Sequence, residues 1–183
     1  ALGCAYALNS YLDLGLTSNQ AAAVAHEAEV RCLTGLGDVI AQNSGGLVIR
    51  CRPGAPGTGL IDRIPVQPLQ VCYIVRGPIH TREVLSDPAA VRRINSAGEA
   101  ALKDLLRRPT LQEFMRLSRR FALQSGLGSD WIIDAIEAVD AAGGMASMIM
   151  LGDAVFSLGG RDALSEFGEV GTTRISQRGA GLD

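Results

Sequence analysis

Residues 25–57 read AHEAEVRCLTGLGDVIAQNSGGLVIRCRPGAPG, and this stretch decides the organisation of the chain. Its first part continues a helical pattern that opens at Thr17-x-x-Gln20, a capping box, and runs to about Leu33, where Thr34-Gly35 stops it. A glycine-punctuated loop, GLGD, follows. DVIAQNS is then a short helical run, Gly45-Gly46 breaks it, and LVIRC (47–51) has the β-branched character of a strand. Helix, loop, helix and strand in this order, in a chain whose apolar residues are mainly Ala, Leu, Val and Ile, suit an α/β or α+β protein.

Working outward, residues 1–9 are Ala/Leu-rich and helical, and RPGAPGTG is a rigid turn. LQVCYIV (69–75) is continuously apolar and is expected to be a strand buried on both faces. A domain boundary is placed just before it, giving units 1–66 and 67–183. The second is mostly helical. Asp87-Pro88 caps a helix bearing Val91, Ile94, Leu102 and Leu105, Thr110-x-x-Glu113 caps the next, and a third runs from Ser129 to about Ala142. A Gly143-Gly144 break leads into a dense apolar segment bearing Ser147 and Met148, and GTTRIS is expected to be a final strand.

Composition excludes several classes of function. The 183 residues suit one ordinary domain or two small ones, and the net charge of −2 lacks the basic excess of a nucleic-acid or anionic-membrane partner. Aromatic residues are only 4%, too few for base-stacking surfaces. No apolar run approaches the roughly 18 residues of a membrane span, so a cytoplasmic setting is expected. Cysteines at 4, 32, 51 and 72 lack metal-clip or CxxC spacing; each lies in an apolar run and reads as a buried, reduced thiol. Neither GxGxxG nor GxxxxGK[ST] is present, and the single lysine, Lys103, falls inside a helical pattern. The chain opens ALGCAYALNSYL, as if in mid-helix.

Turning residues 18–33 by about 100° each separates three sectors. Ala21, Val24, Ala25, Ala28 and Cys32 form a small-residue face, and Gln20, Glu27 and Arg31 a solvated one. The third holds Ala22, His26, Glu29, Val30 and Leu33. A histidine and a carboxylate on an apolar stripe must be paired, hydrogen-bonded or ligating something. Two readings fit: His26 and Glu29 satisfy each other or nearby backbone, or they face a pocket shared with Asp38. Asp38 is itself either a helix N-cap or a carboxylate brought to that pocket by the flexible GLG. Arg50 and Arg52 alternate with apolar residues, and either is an anion-binding candidate or a surface arginine.

These residues resemble the GHMP kinases, in which a helix carries a metal-binding Glu, a Gly-rich turn presents an Asp, and a Gly-Gly pair follows. The spelling with His26, GLGD, NSGG and RCRPG, together with GGMASMIMLGDAVF (143–156), is most similar to the archaeal pantoate kinases of coenzyme A biosynthesis. The resemblance implies ATP-dependent phosphorylation of the pantoate hydroxyl to 4-phosphopantoate. It implies Asp38 as the residue that orients or deprotonates that hydroxyl, Glu29 as a Mg²⁺ ligand, and His26 and Arg50 as pantoate contacts. Gly144 and Ser147 would fall in the family's third, nucleotide-side motif, whose Met-rich spelling here departs from the usual glycine-rich form. The fold implied is part of an N-terminal α+β domain followed by a ferredoxin-like C-terminal domain. The family's Gly/Ser-rich phosphate loop is expected immediately upstream of Ala1. A homodimer through the apolar 145–156 segment is a further expectation. The alternatives are a kinase with a mevalonate- or shikimate-type acceptor, and a non-catalytic packing or dimerisation module.

Overall fold

The computed structural model describes residues 1–35, 37–78, 84, 86–150 and 152–181. Two units emerge: residues 1–68 with 175–183, and residues 69–174.

The first unit begins with helices α1 (Leu2–Tyr11), α2 (Ser18–Cys32) and α3 (Asp38–Ser44), followed by strands β1 (Leu47–Arg52) and β2 (Leu60–Ile64). The capping box at α2 is complete. The Gln20 amide N–H donates to Thr17 Oγ1 at 3.3 Å, and the Thr17 N–H donates to Gln20 Oε1 at 2.9 Å. The core joins Leu2 and Tyr6 of α1 to Ala21, Ala22 and Ala25 of α2 and Val39 of α3. This corrects the expected small-residue face: Ala21 and Ala25 are buried, but Val24, Ala28 and Cys32 are exposed. The buried stripe is rotated toward Ala22, His26 and Glu29. The helix also ends without glycine. Leu33 adopts left-handed φ 53°, while the Thr34 and Leu33 N–H groups donate to the Glu29 and Val30 carbonyls at 3.0 and 3.2 Å. That is a Schellman closure with a side-chain-bearing residue in the left-handed position, which costs about 1–2 kcal/mol of backbone strain.

β1 and β2 pair antiparallel, with Arg50 opposite Ile61 and the register shifting between Arg50 and Arg52. β2 went unread in the sequence because LIDRI is short, carries the charged pair Asp62-Arg63 and lacks the apolar–polar alternation of a strand. Residues 175–183 return to this unit, unlike the expectation that placed them in the second. The Gly46 N–H donates to the Ser176 carbonyl and the Ala180 N–H to the Gln42 carbonyl, both at 2.7 Å. Glycine is required at this crossing. A Cβ on Gly45, whose φ is +68°, would lie 2.4 Å from the Arg178 carbonyl carbon. Asn43 gathers the neighbouring helices: it accepts a hydrogen bond from the Tyr6 hydroxyl and donates to Asn19 Oδ1 at 3.1 Å.

The second unit comprises β3 (Gln70–Pro78), α4 (Pro88–Leu105), α5 (Leu111–Ser125), α6 (Asp130–Ala141), β4 (Met145–Met148), β5 (Gly152–Leu158), α7 (Arg161–Ser165) and β6 (Gly171–Arg174). Asp87, Thr110 and Ser129 each cap their helix through a side-chain oxygen, as their sequence positions predict. The four strands form one antiparallel sheet in the order β4-β5-β3-β6. Cys72, Ile74, Ala146, Met148 and Val155 on one face pack against Ile132, Ala135, Ile136 and Val139 of α6. β3 is therefore buried on one face only, with Tyr73 and Val75 exposed on the other. A continuous apolar run obscured this alternation. Of the cysteines only Cys72 is buried; Cys4 and Cys32 are exposed and Cys51 is half-buried, and all four are free. The 145–156 segment is a hairpin whose Met148 faces the core, leaving Ile149 and Met150 exposed at its turn.

Candidate functional site

His26 and Glu29 lie one turn apart on α2, both half-buried, on the side of the helix that faces the first unit's core. Neither forms a side-chain hydrogen bond or ion pair with a described residue, so the reading in which they satisfy each other fails. Glu27, by contrast, takes the solvated role its sector assigns. It bridges Arg31 at 2.5 Å with both side chains well exposed.

Past the Leu33 closure, the chain turns so that the Glu29 carboxylate lies against the bare Cα of Gly35. A Cβ on Gly35 would stand 2.7 Å from Glu29 Oε2 and 3.5 Å from Asp38 Oδ2. The two carboxylates therefore flank one small space. Asp38 is the first residue of α3, and Gly37 occupies the N-cap without any side-chain capping bond. The capping explanation for Asp38 is thus overturned. Its exposed carboxylate is left at the positive end of a short helix, within reach of the Glu29 carboxylate.

Arg50 completes the cluster from β1. Its guanidinium lies against Gly37, where an added Cβ would stand 2.6 Å from Nη1. Residues two apart on a regular strand share a face, but the register shift between Arg50 and Arg52 separates them. Arg52 turns instead to the 53–59 loop and donates to the Thr58 carbonyl at 3.3 Å. The question of which arginine faces the carboxylate loop is decided in favour of Arg50. Sequence reasoning missed Gly35 and Gly37 as site residues. It read GLG as flexibility, whereas their function is to leave the volume that the Glu29 and Arg50 head groups fill.

Gly144 and Ser147 belong to the second unit. Gly144 sits in the turn after α6, where a Cβ would meet Val139 Cγ1 at 2.7 Å and the backbone of Gly159 and Gly160 at 3.0 Å. Ser147 is buried within β4, opposite Phe156 of β5. Near the other end of this hairpin, Asp153 accepts a hydrogen bond from the Ser129 hydroxyl at 2.7 Å and faces Arg76 Nε at 3.6 Å. Arg76 in turn lies over the Trp131 ring, 5.6 Å from its centroid. This network was not legible in the sequence, since its members come from β3, β5 and the start of α6.

The donor set suits a hard divalent cation that brings its own ligands. No group of three or more His, Cys, Asp or Glu side chains converges among the described residues. Two oxygen-donor side chains are nevertheless what Mg²⁺ takes from a protein when waters and substrate phosphates complete its octahedron. The residues present fit such an ion.

No protein-family model matches the chain. It is 42% identical over 159 residues to a pantoate kinase of Thermococcus kodakarensis, covering 86% of this chain and 52% of that protein. To the pantoate kinase of Methanocaldococcus jannaschii it is 37% identical over 166 residues, covering 90% and 60% respectively. The chain thus spans roughly half to three-fifths of the length of these relatives. Among solved structures, a phosphotransferase related to the CoA biosynthesis pathway superposes with a TM-score of 0.83 at 32% identity, covering 98% of this chain and 61% of that one. A homoserine kinase of Cytophaga hutchinsonii shares the fold alone, with a TM-score of 0.67 at 15% identity over 97% of this chain and 64% of its own. The carboxylate loop, the α+β architecture and the likeness along nearly the whole sequence converge: the chain is a homologue of the pantoate kinases over part of their length.

Proposed function

We propose that the chain supplies the acceptor and metal side of an enzyme that transfers the γ-phosphoryl group of ATP to the hydroxyl of pantoate, giving 4-phosphopantoate and ADP. The observation that carries this reading is the convergence of Glu29 and Asp38 on the space above Gly35, with Arg50 seated at Gly37. Phosphoryl transfer asks little covalent chemistry of a protein; it asks for positioning and for charge neutralisation. Asp38 accepts the hydroxyl proton as the acceptor oxygen bonds to the γ-phosphorus and the bond to the β-phosphate oxygen breaks. Glu29 is the residue that holds Mg²⁺, which when bound neutralises charge on the nucleotide phosphates. Arg50 pairs with the acceptor carboxylate, since a guanidinium matches a carboxylate in a two-point contact, and His26 contacts the same acceptor.

Gly144 and Ser147 are assigned to the nucleotide side on the resemblance of the 143–156 segment alone. Their packing adds a scaffold role that fixes this hairpin against α6. The strand order β4-β5-β3-β6, with helices between β3 and β4 and between β5 and β6, supports a ferredoxin-like reading of the second unit. No described helix is long and apolar enough to cross a membrane.

The test is pantoate-dependent ADP release by the protein that carries this chain, run beside homoserine, mevalonate and shikimate. Activity with pantoate alone, abolished by Asp38→Ala in a folded protein, is the expected result. Release with another acceptor in place of pantoate would move the assignment to that acceptor. No acceptor-dependent release at all would overturn the reading.

A further inference from the structure

The α4–α5 hairpin carries a concentration of positive charge that the proposed kinase site does not use. Residues 88–125 hold eight of the chain's 17 basic residues and only three acidic ones, within a protein of net charge −2. Toward the end where α4 turns into α5, this charge is largely consumed. Arg107 and Arg120 bridge Asp104 at 3.4 and 2.7 Å, Arg116 bridges Glu113 at 2.7 Å, and Arg119 bridges Asp140 at 3.4 Å. At the opposite end lies a groove of about 490 Å³ lined by Arg92, Arg93, Ser96, Ala97, Ala100 and Gln124. Among the described residues that lining contains no carboxylate, and neither Arg92 nor Arg93 forms an ion pair with a described residue.

The groove is organised as well as charged. Arg92 and Ser96 are four residues apart on α4 and share a face, as do Arg93, Ala97 and Ala100 at spacings of three and four. The alanines form a low floor, while Gln124 contributes an amide from α5 across the gap. The Arg93 guanidinium lies beside Gly126, the left-handed cap of α5, with Nε 3.6 Å from the position a Cβ would take. There the helix presents the negative end of its dipole, which favours a cation. A second guanidinium, a hydroxyl and an amide remain as donors around a concavity of the size that small-molecule sites show, roughly 300–1,000 Å³.

We propose that this groove binds the phosphate group of a small organic phosphate. A phosphate dianion accepts from two guanidinium forks at once, which a monovalent anion such as chloride does not. The groove volume leaves room for an organic moiety above the alanine floor. The site shares no residue with the Glu29–Asp38 cluster and does not depend on the kinase assignment.

The experiment is a calorimetric titration of the chain, at constant ionic strength in chloride, with glycerol 3-phosphate and separately with inorganic phosphate. Arg92→Gln/Arg93→Gln is compared with Arg107→Gln/Arg108→Gln, which removes the same charge from the same hairpin, and circular dichroism verifies both folds. Saturable binding of glycerol 3-phosphate, weakened at least tenfold in the first variant and less than twofold in the second, is expected. Ala100→Glu, which places a carboxylate over the groove floor, should abolish binding in a folded protein. Tighter binding of glycerol 3-phosphate than of inorganic phosphate supports an organic ligand, whereas equal or weaker binding overturns that part of the proposal. Equal losses in the two double variants, or no saturable binding, would overturn the site itself.

Discussion

Replacing Gly35 by alanine separates the geometry of the carboxylate loop from its stability. Gly35 does not lie at positive φ, so a side chain adds no backbone strain there. The new Cβ would stand 2.7 Å from Glu29 Oε2 and 3.4 Å from Glu29 Cδ. The atom in the way is the far end of a flexible side chain, so the carboxylate retreats by about 0.7 Å or more to regain ordinary contact. Folding stability should change by about 1 kcal/mol or less, because alanine also restricts the unfolded chain by about 0.4–1 kcal/mol. Catalysis is less tolerant, since a displacement of about 1 Å at a reacting centre can lower the rate on the order of 100-fold. The expected outcome is a urea midpoint close to that of the parent, a weaker Mg²⁺ titration of the Glu29 and Asp38 side-chain NMR signals, and kcat/KM reduced about 10–100-fold. Gly37→Ala, which displaces Arg50 instead, should raise the KM for the carboxylate-bearing acceptor more than it lowers kcat. Parent-like metal affinity and rate in Gly35→Ala would refute the idea that Gly35 seats Glu29, and so would gross unfolding.

Three further outcomes follow from the packing and charge. Gly144→Ala should destabilise by about 1–3 kcal/mol through overpacking, and combining it with Val139→Ala should cost less than the sum of the two in a urea double-mutant cycle; strict additivity would remove Val139 as the obstructing group. Leu33→Gly should raise stability by about 1 kcal/mol in the same assay, because glycine takes the left-handed position without the strain leucine carries; a loss would show that the leucine side chain compensates. Asp104 and Glu113 are both held below the ordinary carboxylate range, Asp104 chiefly by its hydrogen bond from Arg120 and Glu113 chiefly by those from Arg116. Their stabilisation is complete above the unfolded-state value near pH 4 and is lost as pH falls through the lower folded-state values. Asp104→Asn should therefore be less stable than the parent at pH 7 and converge with it in acid; a constant difference in urea midpoint down to pH 2.5 would contradict the assignment.

How much was legible from sequence depended on whether the deciding interaction was local. Thr17, Asp87, Thr110 and Ser129 announced their helices because a cap is made within three residues. The same locality set Glu27 apart from Glu29, since a helix distributes its side chains by a fixed rotation whatever surrounds it. β2 escaped notice because a short charged strand is stabilised by its partner rather than by its own pattern. β3 was misjudged because apolar continuity does not say which faces are covered. Cys4 and Cys32 were placed inside on the character of their neighbours, yet burial depends on what packs against the helix.

The sequence by itself determined where the capped helices begin, that a glycine loop presents an acid after a helix bearing His26 and Glu29, and that the chain contains both helices and strands. Only the tertiary structure decided that Glu29 and Asp38 meet above Gly35, that Arg50 rather than Arg52 faces the loop, and that residues 175–180 return across Gly45 and Gly46. The division has a physical cause. Caps and helical faces are fixed by hydrogen bonds and rotations spanning a few residues. The volume a glycine leaves empty acquires meaning only when a side chain from elsewhere in the fold arrives to fill it.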